Sequence, residues 1–209
     1  MKIAFLHVVD DSKFKYTEND HRFVSLMVES ARKTMPNTDI VHLTDNSTKS
    51  IEGTITVRKP FIHDNPMLFR MEHISEIDGD VLVLDTDVIV QKDLRPIFSL
   101  EFDVALTWRS EKIIDENGVN ISELMPYNTG VVFSRSKQFW KDCIDFGKDK
   151  NFGWYTDQAS VAVISDRYNT LKLHCDNFNY TPKKKDEDLS SRYVVHYKGN
   201  RKNFILGDQ

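Results

Sequence analysis

The amino-acid sequence predicts an α/β fold, a mostly parallel sheet flanked by helices, and three observations predict it. In the first half, short runs rich in Val, Ile and Leu alternate with longer runs of helical periodicity. One short run, "VLVL" at residues 81–84, is apolar at every position, as a strand buried on both faces of a parallel sheet requires. The chain has 209 residues, 40% hydrophobic and 29% charged, without a repeat, a low-complexity linker or a shift in composition. That suits one domain over residues 1–209 with a sizeable core.

Taken in order, "KIAFLHVV" reads as the first strand. Residues 18–35 carry Phe23, Leu26, Met27, Ser30 and Ala31 at helical spacing and are stopped by Pro36. "DIVHL" (39–43) and "GTITVRK" (53–59) read as short strands around a polar loop. In "PMLFRMEHISEI" (66–77), Pro66 stands at a helix start and Leu68, Met71 and Ile74 share a face. After the 81–90 run come a helical turn at "LRPIF", a strand at "FDVALTW" and a polar loop over 109–122. "TGVVFSRS" then reads as a strand, "KQFWKDCIDFGK" and "DQASVAVISDRY" as helices. The tail holds three extended pieces, "TLKLH", "FNYTP" and "RYVVHYKG", with "KKKDEDLSS" as a solvated loop between the last two.

The bulk properties exclude several classes. A net charge of −4 gives no electrostatic basis for binding nucleic acid or an anionic membrane. The opening "MKIAFLHVVD" is too short an apolar run for a signal-peptide core, and no run approaches the length that spans a bilayer. Cys143 and Cys175 lie far apart without metal-like spacing, as suits reduced packing residues. The expectation is a cytoplasmic protein without a transmembrane segment.

The chemistry starts at "VLVLDTDVIV", residues 81–90. Ligands in open α/β sheets sit beyond the carboxyl ends of the strands, and Asp85 and Asp87 stand at such an end. On an extended segment, residues i and i+2 point the same way, so the two carboxylates converge. Like charges in that arrangement share a proton or bind a cation, and hard oxygen donors suit Mg²⁺ or Mn²⁺ with positions left for phosphate oxygens. Solvated turn acids are the alternative. A phosphatase would place such a motif after the first strand; a nucleotidyltransferase and a glycosyltransferase remain. The second stretch is "HYKGNRK", 196–202. His196 can add an imidazole to the same cation, Gly199 lets backbone approach a phosphate, and Lys202 offers an ammonium to a diphosphate. A nucleotidyltransferase would also show a glycine-rich basic stretch after the first strand, which "HVVDDSKFK" lacks.

With these two stretches, the chain resembles the GT-A-fold glycosyltransferases of family eight, the group of glycogenin and the bacterial lipooligosaccharide galactosyltransferases. The likeness runs over residues 3–204. "VLVLDTDVIVQKDLRPIF" looks like the family's metal-binding strand and "HYKGNRK" like its histidine–glycine–lysine element. "YNTGVVFSRSKQFW", "YTDQASV", "NFNYTP", "MLFRMEHI" and "VVDDSKFKY" resemble further family segments in the same order. Where the family continues past the lysine with Pro-Trp, this chain has Asn203 and Phe204.

The resemblance implies a single GT-A domain with a central, mostly parallel mixed sheet. It implies a metal-dependent, retaining transfer of a sugar from a nucleoside-diphosphate sugar, a UDP-sugar by family habit, to a glycan, lipid or protein acceptor. Asp85, Asp87 and His196 would ligate Mn²⁺ or Mg²⁺. Asp85 and Thr86 would also touch the donor, and Gly199 and Lys202 would hold its diphosphate. Asp10 would meet the base edge and Tyr16 stack on it. Arg70 would reach the donor sugar, or else face solvent from its helix. Asn128 would contact donor or acceptor, or else form a turn. Asp157 and Gln158 would line the sugar pocket, or else cap a helix. Trp154 and Tyr155 would stack on an acceptor ring or pack inside, and packing is the expectation. A catalytically idle domain that binds a nucleotide sugar or glycan is the other reading.

Overall fold

Short apolar strands pair in parallel because helices of matching length carry the chain back across the sheet. A computed structural model describes residues 1–9, 18–61, 65–114, 117–150 and 152–206. Its strands are β1 (Lys2–Leu6), β2 (Asp39–Thr44), β3 (Ile55–Arg58), β4 (Val81–Leu84), β5 (Val88–Val90), β6 (Val104–Trp108), β7 (Tyr127–Ser134), β8 (Thr170–His174) and β9 (Val194–His196). Its helices are α1 (Glu18–Thr34), α2 (Pro66–Ile74), α3 (Ile121–Leu124), α4 (Lys137–Gly147), α5 (Thr156–Ile164), α6 (Cys175–Phe178) and α7 (Asn203–Leu206).

Among the described residues, seven strands form one sheet in the order β3-β2-β1-β4-β7-β6-β8. All neighbours are parallel except at β7, which runs antiparallel to both β4 and β6. Reversing β7 has a consequence for chemistry: its first residues lie beside the carboxyl end of β4. Leu84 pairs with Val131, and the Asp85 N–H donates to the Gly130 carbonyl at 2.9 Å.

The sheet is covered on both faces, and the all-apolar β4 shows why. Leu82 and Leu84 pack under α1 with Val24, Met27, Val28, Ala31 and Met35. Val81 and Val83 point the other way, toward Leu68, Met71 and Ile74 of α2, Phe139 and Trp140 of α4 and Val161 of α5. Each strand residue therefore buries its side chain, worth about 1.5–3 kcal/mol apiece. The periodicity of residues 18–35 and of 137–148 matches α1 and α4 closely.

Three sequence expectations need correction. The acids do not continue β4 as an extended segment: the chain turns at Thr86–Asp87, and β5 leaves the main sheet to pair antiparallel with β9. The Ser30 hydroxyl of α1 accepts from the Val90 N–H at 3.1 Å and ties β5 to the helix. "FNYTP" is not simply extended either, since Phe178 ends α6 and only Tyr180 bridges to Val195. Within the loop 109–122, the short α3 has begun by Ile121. Both cysteines are free, Cys143 buried and Cys175 half-buried. No helix among the described residues is long and apolar enough to cross a membrane.

The start of α2 couples two elements that carry site residues. The Asn65 side-chain oxygen accepts from the Met67 and Leu68 N–H groups at 3.0 and 3.2 Å, and its amide donates to the Thr156 hydroxyl of α5 at 2.7 Å. Asn65→Ala removes both the cap and the bridge, so a loss of about 1 kcal/mol, at the middle of the capping range, is expected in urea unfolding. A variant as stable as the parent would show the cap to be dispensable.

Candidate functional site

The β4 end, the β7 start, the α5 start and the β9 end meet at one place. β5–β9 pairing sets Val88 opposite His196, which brings the imidazole back to the acids more than a hundred residues upstream. His196 Nε2 lies 3.0 Å from Asp87 Oδ1 and 3.5 Å from Asp85 Oδ2. One ligand atom from each of the three residues falls within 4.8 Å of the others. Convergence thus arises from a turn and a second sheet, where the sequence suggested an extended i, i+2 pair.

The donor set fits a divalent cation. His196 Nδ1 is 2.8 Å from Asn179 Oδ1, and the Asn179 amide nitrogen donates to Asn128 Oδ1 at 2.7 Å. That orientation leaves Asn179 Oδ1 as the acceptor and puts the imidazole proton on Nδ1. Nε2 is the ring nitrogen turned to the two carboxylates, and together they form an O, O, N set that could hold a divalent cation. His196 is 5% exposed at its side chain, Asp87 15% and Asp85 31%, so the cluster opens to solvent past Asp85.

Cations frame the acids. Lys202 Nζ stands 3.3 Å from Asp87 Oδ2. Burial opposes the ionisation of Asp87, yet His196 and Lys202 together hold its carboxyl well below the usual carboxylate range. Arg70 does not face solvent. Its guanidinium bridges Asp85 Oδ1 at 2.9 Å and Asp157 Oδ2 at 3.1 Å and donates to the Thr129 carbonyl at 3.0 Å. Asp157 is enclosed: it also accepts from the Thr129 hydroxyl and from the Gln158 N–H, each at 2.7 Å. Burial pushes its carboxyl up, against the pull of Arg70 and Thr129.

Two residues without a sequence signal complete this side. Arg109, just past β6, donates to the Gln158 side-chain oxygen at 2.5 Å and to the Tyr127 carbonyl at 2.6 Å. Burial lowers its pKa. Asn179 appears in the quoted "NFNYTP", but nothing local marks it as the partner of His196. Asn128 is buried, and its side-chain oxygen accepts from the Gly130 N–H at 3.0 Å as well as from Asn179. Thr86 forms the half-buried turn between the acids. Gly199 takes φ +55°, a conformation that favours glycine, where the 3-10 turn Gly199–Lys202 begins. Asn203 and Phe204 continue that turn into α7. Trp154 and Tyr155 do not pack inside: they are 55% and 53% exposed, immediately before α5. Asp10 and Tyr16 lie outside the described residues.

Gly130 has a steric reason to be glycine. A β-carbon there would stand 2.4 Å from His196 Cε1, 2.5 Å from its Nδ1 and 2.9 Å from Asn128 Oδ1. The buried ring cannot give way without leaving the acids. Gly130→Ala is expected to cost about 1–3 kcal/mol in urea unfolding, the ordinary penalty of overpacking. Unfolding at the parental midpoint would show that the ring has room to move.

No family model matches the sequence, and no curated protein matches it. Solved structures do match. A galactosyltransferase LgtC, in complex with donor and acceptor sugar analogs, superimposes with a TM-score of 0.59 at 16% identity, over 96% of this chain and 88% of that one. A glycosyltransferase involved in glycosylation of the major capsid of PBCV-1 gives 0.63 at 15% identity, over 98% and 97%. The glycosyltransferase GlyE of Streptococcus pneumoniae TIGR4 gives 0.64 at 16% identity, over the whole of this chain and 57% of that one. The fold is that of the GT-A glycosyltransferases.

Proposed function

We propose that this chain, as one domain, is a metal-dependent glycosyltransferase that moves a sugar from a nucleoside-diphosphate sugar to an acceptor with retention at the anomeric carbon. The observation that carries the proposal is the meeting of Asp85, Asp87 and His196 from two distant parts of the chain, ringed by Lys202 and Arg70. The fold supports it, since the cluster lies beyond the carboxyl end of β4, where open α/β sheets bind ligands.

Asp85, Asp87 and His196 would hold Mn²⁺ or Mg²⁺, which supplies Lewis-acid neutralisation of a departing diphosphate. The remaining work falls to the chain. Lys202 gives a second positive charge on the same side, and Gly199 opens the backbone beside it. Arg70 is fixed by Asp85, Asp157 and the Thr129 carbonyl, so it meets a donor sugar already oriented. Both Asp157 oxygens accept hydrogen bonds inside the protein, and the residue is 2% exposed. That suits orientation of Arg70 better than attack on carbon. Gln158 has its carbonyl oxygen held by Arg109, which turns its amide nitrogen away from that guanidinium. These constraints favour front-face attack by the acceptor, and the exposed Trp154 and Tyr155 suit stacking against an acceptor sugar ring.

A thermal-shift panel of nucleotide sugars, with and without Mn²⁺, tests the reading. Stabilisation by one donor, uridine-linked by the family's habit, is expected only with the ion present, accompanied by slow donor hydrolysis. Ion-dependent binding without hydrolysis or transfer would favour the idle binding domain. No metal-dependent shift from any donor would sink the transferase.

A further inference from the structure

We propose that Asn179 is the positioning residue for His196, and that it works through a buried chain of hydrogen bonds anchored in β6 and β7. The inference rests on the metal reading above and adds a residue to it. His196 Nδ1–H donates to Asn179 Oδ1 at 2.8 Å. The Asn179 amide nitrogen donates in turn to the Thr107 hydroxyl oxygen at 2.8 Å and to Asn128 Oδ1 at 2.7 Å. The Thr107 hydroxyl donates to the Asn128 carbonyl at 2.6 Å, and Asn128 Oδ1 accepts from the Gly130 N–H at 3.0 Å. Thr107, Asn128, Asn179 and His196 are all buried, so no water competes for these groups.

The arrangement has one consistent orientation. The Gly130 N–H can only donate, so Asn128 turns its oxygen toward it, and Asn179 turns its nitrogen toward that oxygen and its own oxygen toward His196. The imidazole holds a proton on Nδ1, which leaves Nε2, facing Asp85 and Asp87, as the nitrogen that a cation would take. A histidine that binds metal through one nitrogen commonly donates from the other, and loss of that second contact costs about 10- to 100-fold in affinity. The backbone makes room for the network. The β6–β7 register slips between Leu106 and Thr107, so that Thr107 faces Asn128, a local irregularity of the kind found beside functional sites.

The test reads the ion directly, with donor and acceptor absent. Mn²⁺ binding is followed by the loss of the free-ion electron paramagnetic resonance signal. Electron spin-echo envelope modulation reports whether a histidine nitrogen is bound. Asn179→Ala is expected to weaken Mn²⁺ binding about 10- to 100-fold and to diminish the nitrogen modulation. Asn179→Asp, which restores an acceptor for Nδ1–H, is expected to recover the modulation. Thermal melting of both variants without metal identifies any that fail to fold, and the one that folds decides. Wild-type affinity and modulation in Asn179→Ala, or a folded Asn179→Asp without nitrogen modulation, would overturn the inference and leave the metal site standing. A parent protein that takes up no Mn²⁺ would overturn both.

Discussion

Asp87→Ala is expected to remove tight divalent-ion binding and, with it, sugar transfer, while the apo protein still folds. Asp87 is the hub of the acidic cluster: one oxygen meets His196 at 3.0 Å and the other Lys202 at 3.3 Å. Its carboxylate stays ionised against burial because His196 and Lys202 face it. Losing it deprives the ion of a direct ligand, so the affinity should fall by more than the ~10- to 100-fold that a supporting contact is worth. The neighbouring strands do not depend on it, since β5 and β9 are joined by backbone pairing and Val88, Val90 and Val194 are buried in the core. Isothermal titration with Mn²⁺ and a donor-hydrolysis assay check the two halves. Asp87→Asn separates charge from shape. Undiminished Mn²⁺ binding in Asp87→Ala would move the metal site elsewhere and end the mechanism proposed for it.

Mild acid should destabilise the fold through its buried histidines. His7 follows β1 and His73 lies in α2, each 1% exposed. Burial lowers the His7 pKa from 6.5 to about 4, helped by His42 and His21 and opposed by Asp45. Burial likewise lowers His73 to about 4, helped by Lys59 and opposed by Glu76. A histidine whose folded pKa is depressed contributes stability that is fully present above its unfolded pKa of 6.5. That contribution is lost as pH falls toward 4, because only the unfolded chain takes up the proton. At about 1.4 kcal/mol per pH unit, each ring accounts for roughly 2 kcal/mol between pH 6.5 and 5 and about 3 kcal/mol by pH 4. Against a total stability of about 5–15 kcal/mol, that is a large share. Urea unfolding at pH 7 and pH 5 measures it, and His73→Leu should flatten the slope by about one ring's worth. Equal stability at the two pH values would mean that these rings accept protons within the fold.

The fold itself was open to reading because its signals are local. Val81–Leu84 is apolar at every position, and that alone demands burial on both faces. Phe23, Met27 and Ala31 recur at a helical interval, and all three are buried in α1. "DTD" and "HYKGNRK" could be singled out because carboxylates beside a buried strand and an imidazole before a glycine are chemically conspicuous in any window. What no window contains is the pairing between windows. Arg70 and Asp157 are 87 positions apart, and His196 meets Asp87 only because β5 abandons the main sheet for β9. The turn at Thr86–Asp87 has the same origin: an extended path through the acids suits the local residues, and the partner strand that draws β5 away lies about a hundred residues on.

Arg109 and Asn179 show the remaining difference. Each is an ordinary polar residue in its own neighbourhood, and its role comes from what the reversed β7 and the slipped β6–β7 register set against it. Alternation of apolar and polar residues along the chain is enough to dictate strands, helices and the acids at a strand end, because burial of a side chain depends on its own element's face. Orientation of an imidazole, a guanidinium or an amide depends on hydrogen bonds among buried groups from separate elements, and those arise only when the strands have taken their order in the sheet.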